Sequence, residues 1–172
     1  MTQLLYIVAS LIIGAGSGLQ VALLGSIGRV RGASEAALIN TMGAFMGIAL
    51  LLCWQILRHN APNLPSPFNS LAPFLIGIAA AVATLAVCTQ GLDPYLAFTG
   101  FLGFSYVIGA SFLAPRVGVA LFASAVTVGT LTASVGLDHV GAFGGVVQRI
   151  SVFRVVGLMF LALGVVMVRS GR

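Results

Sequence analysis

Hydrophobic residues in this chain form long continuous stretches, and polar residues are confined to short gaps between them. A helix that crosses a bilayer needs about 20 predominantly apolar residues. Six stretches come close to that length: Thr2–Ile27, Ala36–Leu57, Leu71–Gln90, Tyr95–Ala114, Val117–Leu137 and Val152–Val168. A membrane β-barrel would show short segments of alternating polarity instead. The pattern predicts an all-α integral membrane protein, with residues 1–172 forming a single transmembrane domain.

The gaps carry residues that end helices. Three prolines lie between residues 60 and 67, so we expect this stretch to be the longest linker and not a helix. Pro115–Gly118 predicts a very short connection, and Gly141–Arg149 is rich in glycine and predicts a loop. We expect Ser34 to cap the second helix and Glu35 to lie at its positive end.

The number of spans depends on the third stretch, Leu71–Gln90. It contains Pro73 and Gly77 and has only moderate bulk, so the alternatives are six spans, or five with this segment re-entrant or peripheral. The first stretch lacks a basic start and is too long for the core of a signal peptide. We therefore expect Thr2–Ile27 to remain as a helix of the mature protein.

Composition and charge support a lipid environment. Hydrophobic residues make up 59% of the chain and charged residues 6%, whereas a soluble domain carries about a quarter charged residues. The net charge of +5 involves no lysine, and the arginines lie singly near the ends of the stretches, where they anchor helices at lipid headgroups. A nucleic-acid-binding protein would cluster them on one face. The bilayer is thus a predicted partner, and nucleic acid is not.

The arginines give only a weak orientation bias. With six spans, one surface holds Arg29, Arg31, Arg149 and Arg154, and the other holds Arg58, Arg116, Arg169 and Arg172, which is 4 against 4. With five spans the division becomes 5 against 3. A weak bias still orients most membrane proteins. The alternative is dual topology, in which copies insert both ways and pair as an inverted dimer.

Small residues are frequent, with 22 glycines in the chain. Gly14–Gly18 and Gly43–Gly47 each contain a GxxxG pattern, which lets helix backbones approach closely in a membrane. The alternatives are close packing within the monomer and a dimer face.

Residues for hydrolytic or metal chemistry are scarce. The only carboxylates are Glu35, Asp93 and Asp138, and the only histidines are His59 and His139. No carboxylate falls in the middle of a stretch, and neither cysteine belongs to a CxxC pattern. We therefore predict no catalytic residue, no metal, no cofactor and no enzymatic activity.

Neutral polar residues within the stretches are the remaining candidates. Serine and threonine hydroxyls are usually satisfied by the backbone of their own helix. Gln20 and Asn40 carry amides that need a further partner, so they serve either as contacts between helices or as part of a polar cavity.

Several short blocks resemble one family of small membrane proteins. These are Gly18–Gln20, Ala37–Gly43, Gly100–Val107 with Ala114–Gly118, and Leu137–Gly141, which reads Leu-Asp-His-Val-Gly and is the most specific. They resemble the YdcZ-type family of the drug/metabolite transporter (DMT) superfamily. The chain departs from the family pattern at Gly25, where an Asn is usual, at Thr130, where a Gln is usual, and in the extra segment Leu71–Gln90.

The resemblance implies a multi-pass protein of the bacterial inner membrane. It also implies half of an inverted-repeat transporter, completed by a second copy of the chain or a paired homologue in inverted orientation. We expect a secondary transporter that exports small organic metabolites or drug-like solutes. The residues expected near its substrate cavity are Gln20, Asn40, Tyr106, Thr127 and Thr130, and those expected at a gate or loop are Arg116, Asp138 and His139. The alternative is a non-transporting accessory or structural subunit of a membrane complex.

Overall fold

The computed structural model describes residues 2–59 and 63–170, so the first part of the predicted linker and Arg172 lie outside the described residues. The helices are α1 (Thr2–Arg31), α2 (Ala33–Leu57), α3 (Leu71–Cys88), α4 (Thr99–Val117), α5 (Val119–Val140) and α6 (Val152–Ser170). Short 3-10 helices lie at Pro94–Phe98 and Ala142–Gly144. The described chain is 85% helical without strands, which confirms the predicted all-α class.

Within the described residues, six helices are long and apolar enough to cross a membrane. They include α3, whose Pro73 lies in the first turn. A proline there costs little, because the first backbone N–H groups of a helix have no partner within it. The chain is thus compatible with six spans by length and composition.

Two of the connections are one residue long. Gly32 alone separates α1 from α2, and Gly118 alone separates α4 from α5. Their φ angles are 94° and 85°, a backbone conformation that only glycine adopts without strain. The expectation that Ser34 caps α2 is wrong, because Gly32 already breaks the helix and occupies the cap position. Glu35 lies in the first turn as expected and pairs with Arg31 at 3.5 Å.

One compact unit comprises the described parts of residues 1–26 and 105–172. Its apolar core lies where α1, α4 and α5 meet and includes Ile7, Leu113, Val117, Leu121 and Phe122. Close approach of α1 to α5 depends on glycine, since a Cβ atom at Gly14 or Gly129 would overlap the backbone of the facing helix.

The other compact unit spans residues 27–104. Ala49, Cys53 and Phe74 form its apolar cluster between α2 and α3, and the start of α4 lies against α2. That second contact again depends on glycine. A Cβ atom at Gly43 would come within 3.0 Å of the Cα atom of Gly100.

Candidate functional site

A groove lies between α5 and α6 in the first unit. Its volume is about 390 Å³, which is within the usual range for small-molecule sites. The lining consists of Ala123, Ser124, Thr127 and Val128 from α5, and Phe160, Leu161, Gly164, Val165 and Val168 from α6. Thr127, one of the predicted cavity residues, therefore lies in a groove. Phe160 contributes an aromatic face that is 69% exposed.

The two hydroxyl groups of the groove are oriented by their own helix. Ser124 donates to the carbonyl of Ala120 at 2.6 Å, and Thr127 donates to the carbonyl of Ala123 at 2.9 Å. Each hydroxyl has one hydrogen, so the oxygens can only accept a further hydrogen bond. All described lining residues are uncharged. The groove therefore suits an apolar, neutral molecule that carries a hydrogen-bond donor.

Thr130 faces a different neighbour. Its Oγ1 lies 2.9 Å from the carbonyl oxygen of Val126 in its own helix and 3.0 Å from the carbonyl oxygen of Gly14 in α1. The hydroxyl thus lies at the contact between α1 and α5 and links the two helices.

The other predicted cavity residues are distributed over three helices. Gln20 is half-buried in α1, and Tyr106 in α4 packs its ring against Phe122 with centroids 6.3 Å apart. Asn40 is half-buried in α2 and belongs to the second unit. Both residues have interaction partners. Thr127 is the predicted cavity residue that lines the groove.

A polar cluster joins the end of α5 to the start of α6. Arg154 pairs with Asp138 at 3.4 Å and donates to the side-chain oxygen of Gln148. His139 Nδ1 accepts a hydrogen bond from the backbone N–H of Ile150 at 3.2 Å. The side chains of Arg154 and Asp138 are both partly exposed. The predicted loop residues Asp138 and His139 therefore hold the glycine-rich loop and the first turn of α6.

Arg116 is not part of this cluster. It lies at the end of α4, three residues before α5 begins, whereas Asp138 lies near the end of α5. A helix of that length separates them by about 30 Å. The Arg116 guanidinium stacks over the Phe112 ring at 3.5 Å and donates to the Phe112 carbonyl. The residues predicted for a gate or loop thus occupy opposite ends of α5.

The described residues include no cluster of three His, Cys, Asp or Glu that could hold a metal ion. The structure adds groove residues that sequence reasoning missed, namely Ser124, Phe160 and Gly164. Ser124 and Thr127 are three positions apart, a spacing that places both on one helix face and could have revealed the pair. Arg154 was predicted only as a headgroup anchor, and its partner Asp138 is 16 residues away.

Comparison with protein families decides what kind of protein this is. A family model described as "Putative inner membrane exporter, YdcZ" matches residues 5–167, which is nearly the whole chain. The chain belongs to the YdcZ family. Curated proteins and solved structures gave no match. With six apolar helices, this YdcZ family protein is a multi-pass inner-membrane protein of transporter type within the DMT superfamily.

Proposed function

We propose that this YdcZ family protein is a secondary exporter of small organic solutes, and that the α5–α6 groove is part of its solute path. The groove is the observation that supports this proposal most directly. It is large enough for a small molecule, it is lined by the hydroxyl groups of Ser124 and Thr127, and the chain belongs to a family described as exporters. Alternating access would come from rocking one half of the transporter against the other.

The chemistry of the groove narrows the solute class. Its acceptor-only hydroxyls and apolar walls favour a neutral aromatic or aliphatic molecule with an N–H or O–H donor. A charged solute would lose hydration without gaining an ion pair from the described lining residues. Phe160 offers a ring surface on which a planar solute can stack.

The proposal includes a second copy of the chain, or a paired homologue, in inverted orientation. It is supported by α6, which the structure describes in full and in which no residue is buried. Both Gly157 and Gly164 have open space where a Cβ atom would lie. Small residues on an open helix face allow close approach of another helix. We also propose that Gln20, Asn40, Tyr106 and Thr130 lie near the cavity, and that Arg116, Asp138 and His139 act at a gate or loop.

Carbazole and dibenzofuran provide a matched test of the solute path. They share a planar tricyclic shape, but only carbazole has an N–H donor. Energised cells that express the protein should accumulate several-fold less carbazole than cells that express Gly164→Leu, which fills the groove. Gly136→Leu is the matched control, because it adds the same side chain to α5 where a Cβ atom meets open space, outside the groove lining. Efflux of dibenzofuran should be weaker.

The same measurement addresses the accessory-subunit alternative. If carbazole accumulation is equal in cells with the wild type, either variant or an empty vector, the proposed solute path is wrong. Purified protein in lipid nanodiscs then provides the second readout, since a transporter of this class should be stabilised against heat by carbazole. Absence of both effects favours the accessory subunit.

A further inference from the structure

The backbone around the two single-residue connections is the same after a shift of 86 residues, the difference between positions 118 and 32. Gly32 and Gly118 both have positive φ and extended ψ, 161° and 146°. The hydrogen bonds around them also match, because each glycine donates to the carbonyl four residues before it and accepts from the N–H four residues after it. The distances are 3.0 Å (Gly32 to Gly28) and 3.2 Å (Ala36 to Gly32) at the first connection. At the second they are 2.8 Å (Gly118 to Ala114) and 3.0 Å (Phe122 to Gly118). Two helix–glycine–helix hairpins of one design therefore occur in the chain.

The glycines at the helix contacts follow the same shift. Gly14 of α1 corresponds to Gly100 of α4, and Gly43 of α2 corresponds to Gly129 of α5. A Cβ atom at Gly14 would overlap α5, and a Cβ atom at Gly100 would overlap α2. The first helix of each hairpin thus packs against the second helix of the other hairpin. This exchange is what two copies related by a two-fold operation produce.

Burial also repeats with the shift of 86 residues. In the following pairs both members are buried: Ser10 and Leu96, Leu23 and Gly109, Ile27 and Leu113, Ala36 and Phe122, Ile39 and Ala125. The third helices keep the relation, since Phe74 and Leu75 of α3 correspond to Phe160 and Leu161 of α6. Burial thus agrees over the first two helices on each side, and the third helices share the Phe-Leu sequence.

We propose that α1–α3 and α4–α6 are two copies of one three-helix unit, inserted in the membrane with opposite orientations. Three crossings are an odd number, so a second copy that follows the first enters from the opposite surface. Inverted repeats of this kind support alternating access in other transporter folds. Each chain then carries two oppositely oriented units for alternating access, and the second copy proposed above would add two more. Only this last step rests on the proposed function.

The proposal gives another reason for the even distribution of arginine. The two glycine connections, with Arg31 beside one and Arg116 beside the other, lie at opposite surfaces when the chain crosses six times. Duplication followed by inversion places basic residues at both surfaces of the membrane, even when every molecule is inserted in the same orientation. Dual topology is then not required to explain the 4 against 4 division.

The repeat also assigns a further residue to the solute path. Thr41 of α2 corresponds to Thr127 of α5, and both are exposed. Thr41 donates to the carbonyl of Ala37 at 2.8 Å, as Thr127 does to that of Ala123 at 2.9 Å. Its oxygen is therefore acceptor-only as well. In the same register Tyr106 corresponds to Gln20.

A double-cysteine variant tests the inverted repeat within single molecules. Ala33→Cys and Val119→Cys place one cysteine just after each glycine connection, at equivalent and exposed positions, in a Cys53→Ala, Cys88→Ala background. Intact cells are treated with a membrane-impermeant maleimide, and the labels on each molecule are counted by intact mass. Full labelling after permeabilisation shows that both cysteines react.

One label on every molecule is the expected result, whichever way each molecule is inserted. Molecules with two labels or with none place both connections on one surface, as five spans would, and overturn the inverted repeat. The two single-cysteine variants separate this result from the proposed inverted dimer. Labelling of all molecules at one connection and none at the other shows a single orientation, which removes the dual-topology homodimer while leaving the internal repeat intact.

Discussion

The third and sixth helices occupy equivalent places in the proposed repeat but are attached differently. In α3, Phe74 is only 7% exposed and packs with Ala49 and Cys53 of α2. The equivalent Phe160 of α6 is 69% exposed and lines the open groove. Gly77 of α3 is covered by the ring of Phe45, since a Cβ atom there would lie 2.8 Å from the ring edge. Helix α3 is thus docked along its length, whereas α6 leaves a groove.

Helix α6 packs Val165 against the core of its unit and is also held at its first turn by polar contacts. Arg154 reaches Asp138, and the backbone N–H of Arg154 lies 3.4 Å from the Ser151 hydroxyl. Few buried apolar contacts lower the free energy of local displacement. The difference between the two helices therefore indicates which one can move at least cost. A transporter needs both a fixed framework and a helix of this kind.

Disrupting the glycine contacts, which both hairpins share, should have the largest effect. Gly129→Leu and Gly100→Leu each force a side chain into the backbone of a facing helix. We expect each to cost on the order of 4 kcal/mol, enough to abolish recovery of monodisperse protein in detergent. Gly136→Leu is the control in α5, because a Cβ atom there meets open space. Normal recovery of the Gly129 variant would show that α1 and α5 do not pack closely.

Removing the equivalent phenylalanines tests the comparison directly. Phe74→Ala leaves a cavity in the α2–α3 cluster and should cost about 3 kcal/mol of unfolding free energy. Phe160→Ala removes an exposed ring and should cost less than about 0.5 kcal/mol. Unfolding in mixed micelles with increasing SDS measures both. Equal costs would mean that the two helices are docked alike.

Hydropathy was sufficient to predict six apolar helices, because each span must be apolar over most of its length. It could not distinguish α3 from α6, since both contain Phe-Leu in an apolar context and only tertiary contact decides which ring is buried. The same limit applies to the site. Thr127 was predicted from its polarity within a span, but the groove depends on α6, which approaches α5 after a loop of 11 residues between Val140 and Val152.

Releasing the first turn of α6 should have a smaller effect. Asp138→Asn removes the ion pair with Arg154, whose side chains are 48% and 32% exposed. Pairs at such exposure are worth about 0.5 to 1 kcal/mol and weaken as salt increases. A double-mutant cycle with Arg154→Gln, measured by SDS unfolding at low and high salt, should give a coupling of this size. Asp93→Asn is the control carboxylate, as it lies outside the cluster and contacts Tyr95. Zero coupling at low salt would contradict the pairing.

Two hydroxyl groups at equivalent positions link the repeat to transport. Thr41→Val and Thr127→Val each remove one hydroxyl acceptor at equivalent positions while keeping the shape of the side chain. Loss of one hydrogen bond predicts a decrease of about threefold to tenfold in carbazole efflux for either variant, with unchanged SDS unfolding. Thr132→Val is the matched control, because Thr132 is exposed in α5 and makes the same bond to its own helix, at 2.7 Å from Val128 O, outside the groove lining. A defect in Thr127→Val without one in Thr41→Val would confine the solute path to α5 and α6. The two three-helix units would then share a backbone design but not a role, as the different docking of α3 and α6 already suggests for their third helices.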